Sequence, residues 1–241
     1  MTRLMLFFDF DGTLSPIVRN PEEAFIPDKA RNWLERLSEN KECVVAIVTG
    51  RSLKDIRKRV GLKNIVYASN HGMEVYYRGR FLLRKGDACK RPLKSLEKEL
   101  TGKLSGIPNV HIENKGLSLA VHLRRVRKRY HNKVAGIVRT AVTPWLKPHK
   151  FRLAGGKMLL EVRPLSWDKG KAVLWMWKRF APKGLPVYIG DDVTDEDAFF
   201  ALRPYGITIR IGKKKKSYAE YRGLSIGKIM DSGILGAMAL S

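Results

Sequence analysis

The chain has 241 residues, 44% of them hydrophobic, with Trp, Phe and Tyr spread along it, so it can fill a core and is not disordered as a whole. Forty-seven Lys and Arg against 23 Asp and Glu give a net charge of +24 and a pI near 10.2, a field that draws in polyanions and anionic small molecules. No apolar run approaches the ~20 residues of a membrane span, and the first residues lead straight to Asp9 without a secretion-signal pattern. Cys43 and Cys89 make neither a metal-ligand pattern nor a disulfide framework, so a reduced, cytoplasmic setting with a buried Cys43 thiol is expected.

Leu4 to Phe8 is continuously apolar, as a strand buried on both faces of a parallel sheet requires. Pro27 and Asp28 open a helix carrying Ala30, Trp33, Leu34 and Leu37 at helical spacing. Val44 to Val48 reads as a second buried strand. Ser52, with Asp55 three residues on, caps a helix bearing Leu53, Ile56 and Val60 that Gly61 ends. Ile65 to Ala68 reads as a third strand, and the alternation implies right-handed parallel crossovers in an open α/β sheet.

The rhythm then changes. Met73 to Leu83 patterns as a hairpin turning at Arg78 to Arg80. Pro92 starts a helix with Leu93, Leu96 and Leu100 on one face. Val110 to Glu113 and Leu117 to Arg124 alternate apolar and polar, as strands with one solvated face do. A helix with Tyr130, Val134, Ile137, Val138 and Trp145 on its inner stripe follows, then strands at Phe151 to Leu153 and Met158 to Val162. Residues 85–164 thus read as an α+β unit inserted between the halves, 1–84 and 165–241, of the parallel domain. That domain resumes with a helix capped by Asp168 and running through Val173, Leu174 and Trp177. Strands at Pro186 to Gly190 and Ile207 to Ile211 follow, with a short apolar helix in the tail from Gly227 to Ser241.

The first strand ends in Asp9-Phe10-Asp11-Gly12-Thr13, two carboxylates where open α/β sheets bind ligands. An ionised carboxylate there can attack phosphorus; a lone Asp would be read as a polar turn, but the pair followed by Gly-Thr is harder to read so. Asp9 is expected at a solvent-facing strand end. Thr49-Gly50-Arg51 ends the second strand just before a helix and offers a hydroxyl and backbone N–H groups to an anion. Lys169-Gly170 opens the helix after Asp168, either reaching a phosphate and a nucleophilic carboxylate or standing as a solvated lysine. Gly190 to Asp197 carries five acids in seven residues; crowded carboxylates repel, and a hard cation relieves the repulsion. Asp191 and Asp195 are the candidate ligands, while Glu196 and Asp197 suit a helix start.

In order, these four motifs resemble the haloacid dehalogenase superfamily of phosphotransferases, and an insert between the second and third matches its sugar-phosphatase branch. Asn70 to Glu74, Glu113-Asn114-Lys115 before Ser118 to Arg124, Glu161 to Pro164, and Gly190 to Phe199 are similar to the trehalose-6-phosphate phosphatases over nearly the full chain. Leu123 stands where that family usually has an aromatic residue, and strong basicity is not a family trait. The resemblance implies a Rossmann-like parallel-sheet core with an inserted α+β cap. It implies that Asp9 attacks phosphorus and that Asp11 protonates the leaving sugar oxygen and then activates water. It places Mg²⁺ on Asp9, the backbone carbonyl of Asp11 and Asp191, with Asp195 close by or acting through water. Thr49 and Lys169 would bind the transferring phosphoryl oxygens. Glu113 and Lys115 fall at the family's sugar-recognition position, with His122 and Arg124 near it; Arg51, His71, Gly72, Glu74 and Glu161 join the substrate-binding set.

Trehalose 6-phosphate is the implied substrate, with sucrose phosphate or a glycosyl phosphoglycerate as the nearest alternatives and a trehalose-phosphate synthase as a partner left open. A basic nucleic-acid-binding protein on a degenerate phosphatase fold is a third reading. Intact Asp9, Asp11, Lys169 and Asp191 speak against it, as does the lack of any nucleic-acid-binding motif. The charge predicts only a salt-dependent, sequence-indifferent association with polyanions.

Overall fold

The structure, a computed structural model, describes residues 3–18, 20–146, 151–156, 158–213, 216–223 and 225–238. The chain divides into two compact units: Met1–Arg84 with Trp167–Ser241, and Lys85–Ser166. Chain order in the first is β1 (Leu4–Phe8), α1 (Asp28–Glu39), β2 (Cys43–Val48), α2 (Leu53–Val60), β3 (Val66–Ser69) and the hairpin β4 (Glu74–Tyr77) and β5 (Arg80–Arg84). The second unit holds α3 (Lys90–Leu104), β6 (His111–Asn114), β7 (Leu119–His122), α4 (His131–Leu146), β8 (Phe151–Gly156) and β9 (Leu159–Pro164). The chain returns to the first with α5 (Lys169–Phe180), β10 (Leu185–Gly190), α6 (Glu196–Leu202), β11 (Ile207–Ile211), β12 (Tyr221–Gly223), α7 (Ile226–Asp231) and α8 (Ile234–Met238).

The first unit is built on an eight-stranded sheet of order β12-β11-β10-β1-β2-β3-β4-β5. β1 lies near its centre, paired in parallel with β2 and β10, and it is apolar throughout because both of its faces are covered. Leu4, Leu6 and Phe8 pack with α1 and α2, and the intervening Met5 and Phe7 pack with α5 and α6. Ser52 accepts the Asp55 N–H at 3.4 Å, and Gly61 ends α2 in the left-handed conformation, as the sequence pattern requires. The β4–β5 hairpin extends the same sheet in antiparallel sense, so the sheet is mixed but mostly parallel.

The second unit has a separate antiparallel sheet of order β6-β7-β9-β8. Leu119, Val121, Leu160 and Val162 face a core completed by Leu93, Leu96 and Leu100 of α3 and Val134, Val138 and Val142 of α4. The register sets His111, Glu113, His122, Glu161 and Arg163 on the opposite, polar face. This unit carries nineteen Lys and Arg against five Asp and Glu, and none of the acids falls between Glu113 and Glu161.

Three elements differ from the sequence pattern. α3 begins at Lys90, so Pro92 takes its third position, where no intrahelical N–H bond is forfeited. Three-residue β12 gave no periodic signal, yet pairs with β11 from Ile209↔Tyr221 to Ile211↔Gly223. The tail forms two helices because Gly233, with φ +64°, breaks it; the expected extension over 239–241 lies outside the described residues. Among the described residues, no helix is long and apolar enough to cross a membrane.

Candidate active site

β10, β1, β2 and β3 are neighbours, and the chain leaves their carboxyl ends at Asp191, Asp9, Thr49 and Asn70 respectively. This is the edge at which parallel sheets bind ligands. Lys169 joins them from the first residue of α5, whose preceding Asp168 accepts the Lys171 N–H at 2.9 Å.

Asp9 is not solvent-facing: it is only 4% exposed, because neighbouring strands flank β1 and helices cover both its faces. Its Oδ1 accepts from Lys169 Nζ at 2.7 Å, and the same ammonium donates to Asp195 Oδ1 at 2.7 Å. Lys169 is 1% exposed, which rules out the solvated lysine. Burial works against its charge, but the Asp195 and Asp9 carboxylates outweigh that and hold it protonated above the ordinary lysine range. Asp9 is pushed well above the usual carboxylate range, by burial first and then by the Asp195 charge; Lys169 pulls the other way, and Asp191 adds to the rise.

Asp195 has the fullest set of partners. Its Oδ1 accepts from Lys169 and from Tyr188 Oη at 2.7 Å, and its Oδ2 from the backbone N–H groups of Asp191 at 2.9 Å and Asp192 at 2.8 Å. A carboxylate offers about four acceptor positions, and here all four are engaged. Asp195 therefore fixes Lys169 on one side and the Asp191 backbone on the other. Gly12 admits the Asp191 carboxylate: its φ is +90°, and a Cβ there would overlap Asp191 Oδ2.

One oxygen each from Asp9, Asp191 and Asp195 lie within 4.8 Å of one another. Lys169 is shared by Asp9 and Asp195, with the Asp191 carboxylate beside them, so three buried, oxygen-only donor groups converge. That donor set fits a hard divalent cation, with Asp9 and Asp191 better able than the saturated Asp195 to ligate it.

Asp11 and Arg51 pair bidentately, Arg51 Nε donating to Asp11 Oδ2 at 2.7 Å and Nη2 to Oδ1 at 2.6 Å. Arg51 Nη1 also donates to Asp55 Oδ2 at 2.6 Å, and Asp55 in turn accepts from Arg59. The Asp55 carboxyl lies below its ordinary value: burial raises it, but the bonds from Arg59 and Arg51 outweigh burial. Thr49 is buried, and its hydroxyl accepts the Arg51 N–H at 3.2 Å. Asn70 and His71 are buried as well, and Glu74 accepts from Ser69 Oγ and Asn70 Nδ2, each at 3.0 Å. Gly72 packs so closely on α5 that a Cβ would overlap that of Ala172.

On the polar face of the second unit, Glu161 Oε1 accepts from Ser118 Oγ at 2.9 Å and Lys115 Nζ at 3.2 Å. His122 Nε2 donates to Glu113 Oε2 at 2.9 Å. Burial pushes the Glu113 carboxyl up, but the His122 bond and the Lys115 charge outweigh it and hold the group below the ordinary glutamate value. The His111 ring lies tilted against that of His122 with ring centroids 5.2 Å apart, and Arg124 is half-buried.

Two site residues were missed in the sequence. Tyr188 is a hydroxyl in an otherwise apolar strand, and a fully buried Tyr needs a partner. Arg210, in the β-strand Ile-Thr-Ile-Arg-Ile, donates to the Asp191 and Asp192 carbonyls and to Glu196 Oε1, so it holds the same loop from the other side. Both carried a legible signal, a polar group inside a buried strand.

The trehalose-phosphatase family model matches residues 7–225. The trehalose-phosphate phosphatase of Mycobacterium tuberculosis strain H37Rv is 39% identical over 211 residues, 85% of this chain and 52% of that protein. Trehalose-phosphate phosphatase B of Arabidopsis thaliana is 35% identical over 219 residues, 85% of this chain and 57% of that protein. The chain thus spans about half the length of the curated relatives it matches. Among solved structures, the C-terminal domain of the C. albicans trehalose-6-phosphate phosphatase shares the fold, with a TM-score of 0.83 at 24% identity over 98% of this chain and 93% of that one. A haloacid dehalogenase subclass IIB sugar phosphatase does so at a TM-score of 0.66 and 16% identity, covering 97% and 98%. With its family motifs gathered on one sheet edge and the family model matched over most of its length, the chain belongs to the trehalose-phosphatase family, on a haloacid dehalogenase fold.

Proposed function

We propose that the chain hydrolyses trehalose 6-phosphate to trehalose and phosphate, through an aspartyl-phosphate on Asp9 and with Mg²⁺ as cofactor. The observation that carries this reading is the buried Asp9–Lys169–Asp195 chain beside Asp191, at the carboxyl end of the central strand. Monoester hydrolysis needs acceleration up to ~10²¹-fold, which no single carboxylate supplies. Asp9, Asp191 and the backbone carbonyl of Asp11 would hold the cation, which when bound neutralises the crowded carboxylates and draws electron density from the phosphoryl oxygens.

Asp9 attacks phosphorus as the ester P–O bond breaks, and Asp11 delivers its proton to the leaving sugar oxygen. Lys169, anchored by Asp195, holds one Asp9 oxygen and keeps the other directed for attack; with Thr49 it steadies the phosphoryl oxygens. Asp11 then takes a proton from water as that water attacks the acyl-phosphate, which frees Asp9 and releases phosphate. Its bidentate pairing with Arg51 is that of an ionised carboxylate, the form the second step uses. Delivering a proton in the first step requires Arg51 to give up one of those oxygens to the leaving sugar oxygen.

The polar face of the second unit reads the sugar. Glu113, Lys115 and Glu161 pair acceptors with cationic donors suited to hydroxyl groups, with His122 and Arg124 alongside. The two free thiols suit a reduced cytoplasm. The test is a phosphate-release screen over trehalose 6-phosphate, sucrose phosphate, glycosyl phosphoglycerate and a small aryl phosphate, with and without Mg²⁺. Preference for another sugar phosphate would move the substrate assignment, and release that is indifferent to chelation would remove the cation.

A further inference from the structure

We propose that the three-residue turn Asn70–Gly72 is a positioning unit that locks the Thr49–Arg51 loop to the amino end of α5, and so sets the two phosphoryl-holding residues, Thr49 and Lys169, against each other. The inference rests on the phosphatase reading and assigns to His71 and Gly72 a role other than touching the sugar.

The backbone is the first indication. Asn70, His71 and Gly72 have φ of +49°, +57° and +82°, three successive residues in the left-handed region, two of them bearing side chains. Such a run persists only where the surroundings over-determine it. The restraints are all present. The Asn70 N–H donates to the Arg51 carbonyl at 2.9 Å and the His71 N–H to the Thr49 carbonyl at 2.8 Å, so consecutive amides of the turn grip the two carbonyls that flank Gly50. A right-handed or extended backbone would not aim both amides at that loop.

The side chains act in the same direction. The His71 ring lies against Gly50 so closely that a Cβ there would stand 2.8 Å from its Cε1 and 2.9 Å from its Nε2. Glycine at position 50 is therefore a packing requirement of the histidine ring. On the opposite side, Gly72 abuts Ala172, three residues along α5 from Lys169, and the Gly72 carbonyl accepts from Trp167 Nε1 at 2.8 Å. Asn70 is tied down in turn by the carboxylate of Glu74. The turn thus touches the loop bearing Thr49 on one side and the helix bearing Lys169 on the other. Displacing it would move the two residues independently, and phosphoryl-site geometry tolerates little of that.

A double-mutant cycle on the full chain tests this, with Gly50→Ala, His71→Gly and the pair, assayed on trehalose 6-phosphate and on a small aryl phosphate alongside thermal unfolding. His71→Gly is expected to lower kcat at least tenfold on both substrates with little change in KM for trehalose 6-phosphate. Its Tm should fall through loss of the buried ring's packing, with part of that loss offset because glycine accepts the left-handed backbone, so kcat is compared well below the Tm of each variant. Gly50→Ala is expected to lower kcat on both substrates, and the pair to be no worse than His71→Gly alone, since the added methyl then meets no ring. Should Gly50→Ala fail to fold, His71→Asn, which tolerates the left-handed backbone but lacks the ring, must reproduce the kcat loss. A raised KM for trehalose 6-phosphate with unchanged aryl-phosphate turnover would overturn the proposal and make His71 a sugar contact. Additive losses would also overturn it, and so would a His71→Gly enzyme as active as the wild type. An inactive wild type would instead sink the phosphatase reading on which the proposal stands.

Discussion

The contrast between Asp195 and Asp191 can be separated by substituting each with Asn. In Asp195→Asn the amide oxygen can still accept the Asp191 and Asp192 N–H groups, but the amide nitrogen then faces Lys169 Nζ, donor against donor, while Tyr188 Oη must turn from donor to acceptor. Breaking one partner of a buried ion pair costs about 3–5 kcal/mol; the lower end applies, because the lost charge also relieves Asp9. At about 2–4 °C per kcal/mol for a chain of this size, Tm should fall by roughly 6–12 °C. Asp191→Asn removes a charge that repels Asp9 and leaves the Lys169 bonds in place, so its metal-free Tm should fall less than that of Asp195→Asn. The Mg²⁺ response should invert this order. At a hundred times Kd the cation adds about 2.7 kcal/mol, roughly 5–11 °C in the wild type. Asp195→Asn should keep most of that shift and Asp191→Asn should lose it. Differential scanning fluorimetry across a Mg²⁺ titration reads both quantities. If Asp195→Asn kept its metal-free stability and lost the Mg²⁺ shift, Asp195 would be a ligand and the anchoring role assigned to it would be wrong.

Asp9→Asn should abolish phosphate release while metal-free Tm holds or rises, because it neutralises a buried carboxyl that burial already disfavours as the anion; comparable turnover would end the covalent mechanism. Glu113→Ala or Lys115→Ala should lower kcat/KM for trehalose 6-phosphate by on the order of 10²-fold, since each loses a sugar contact and orphans a partner, half-buried His122 or buried Glu161, at about 1–3 kcal/mol, and leave a small aryl phosphate little changed. Equal losses on both substrates would show that these residues support folding and do not read sugar. Alkaline stability should reveal Tyr67, whose buried phenol donates to the Leu62 carbonyl at 2.7 Å and is pushed up to about 12, mainly by burial. The unfolded chain ionises first, so this contribution is whole below pH 10 and is lost as pH rises towards 12. At about 1.4 kcal/mol per tenfold of proton affinity it amounts to roughly 3 kcal/mol, on an order-of-magnitude basis. Denaturant titrations at pH 9 and 11.5 should show the advantage of wild type over Tyr67→Phe shrinking; a constant gap would contradict it.

What could be read from the chain was local or periodic. The uniform apolarity of Leu4 to Phe8, the Ser52 and Gly61 caps of α2 and the alternation through β7 are one-dimensional signals with one physical meaning each. Asp9, Thr49 and Asp191 could be nominated because each follows a buried strand. Their environments could not. Whether Asp9 met water depended on strands drawn from residues 43–48 and 185–190, and whether Lys169 was solvated depended on Asp195, 26 residues on. The Arg51–Asp11 pair spans 40 residues, and no local pattern announces such a contact. β12 and the start of α3 were set by pairing and by helix-end geometry, to which a periodicity count is blind.

The unequal charge of the second unit makes ionic strength a variable of its stability. With nineteen cations and five anions on 82 residues, the folded unit stores self-repulsion that an expanded chain relaxes. Surface charges lie within the Debye length of one another at low salt, about 30 Å at 0.01 M, and are largely screened once it shrinks to about 8 Å at 0.15 M. Added salt should therefore stiffen this unit while weakening the isolated surface pairs of the first, such as Lys29–Asp231. Hydrogen exchange across a KCl series would show the amides of α3 and α4 gaining protection as the salt rises, with those of α1 unchanged or losing it.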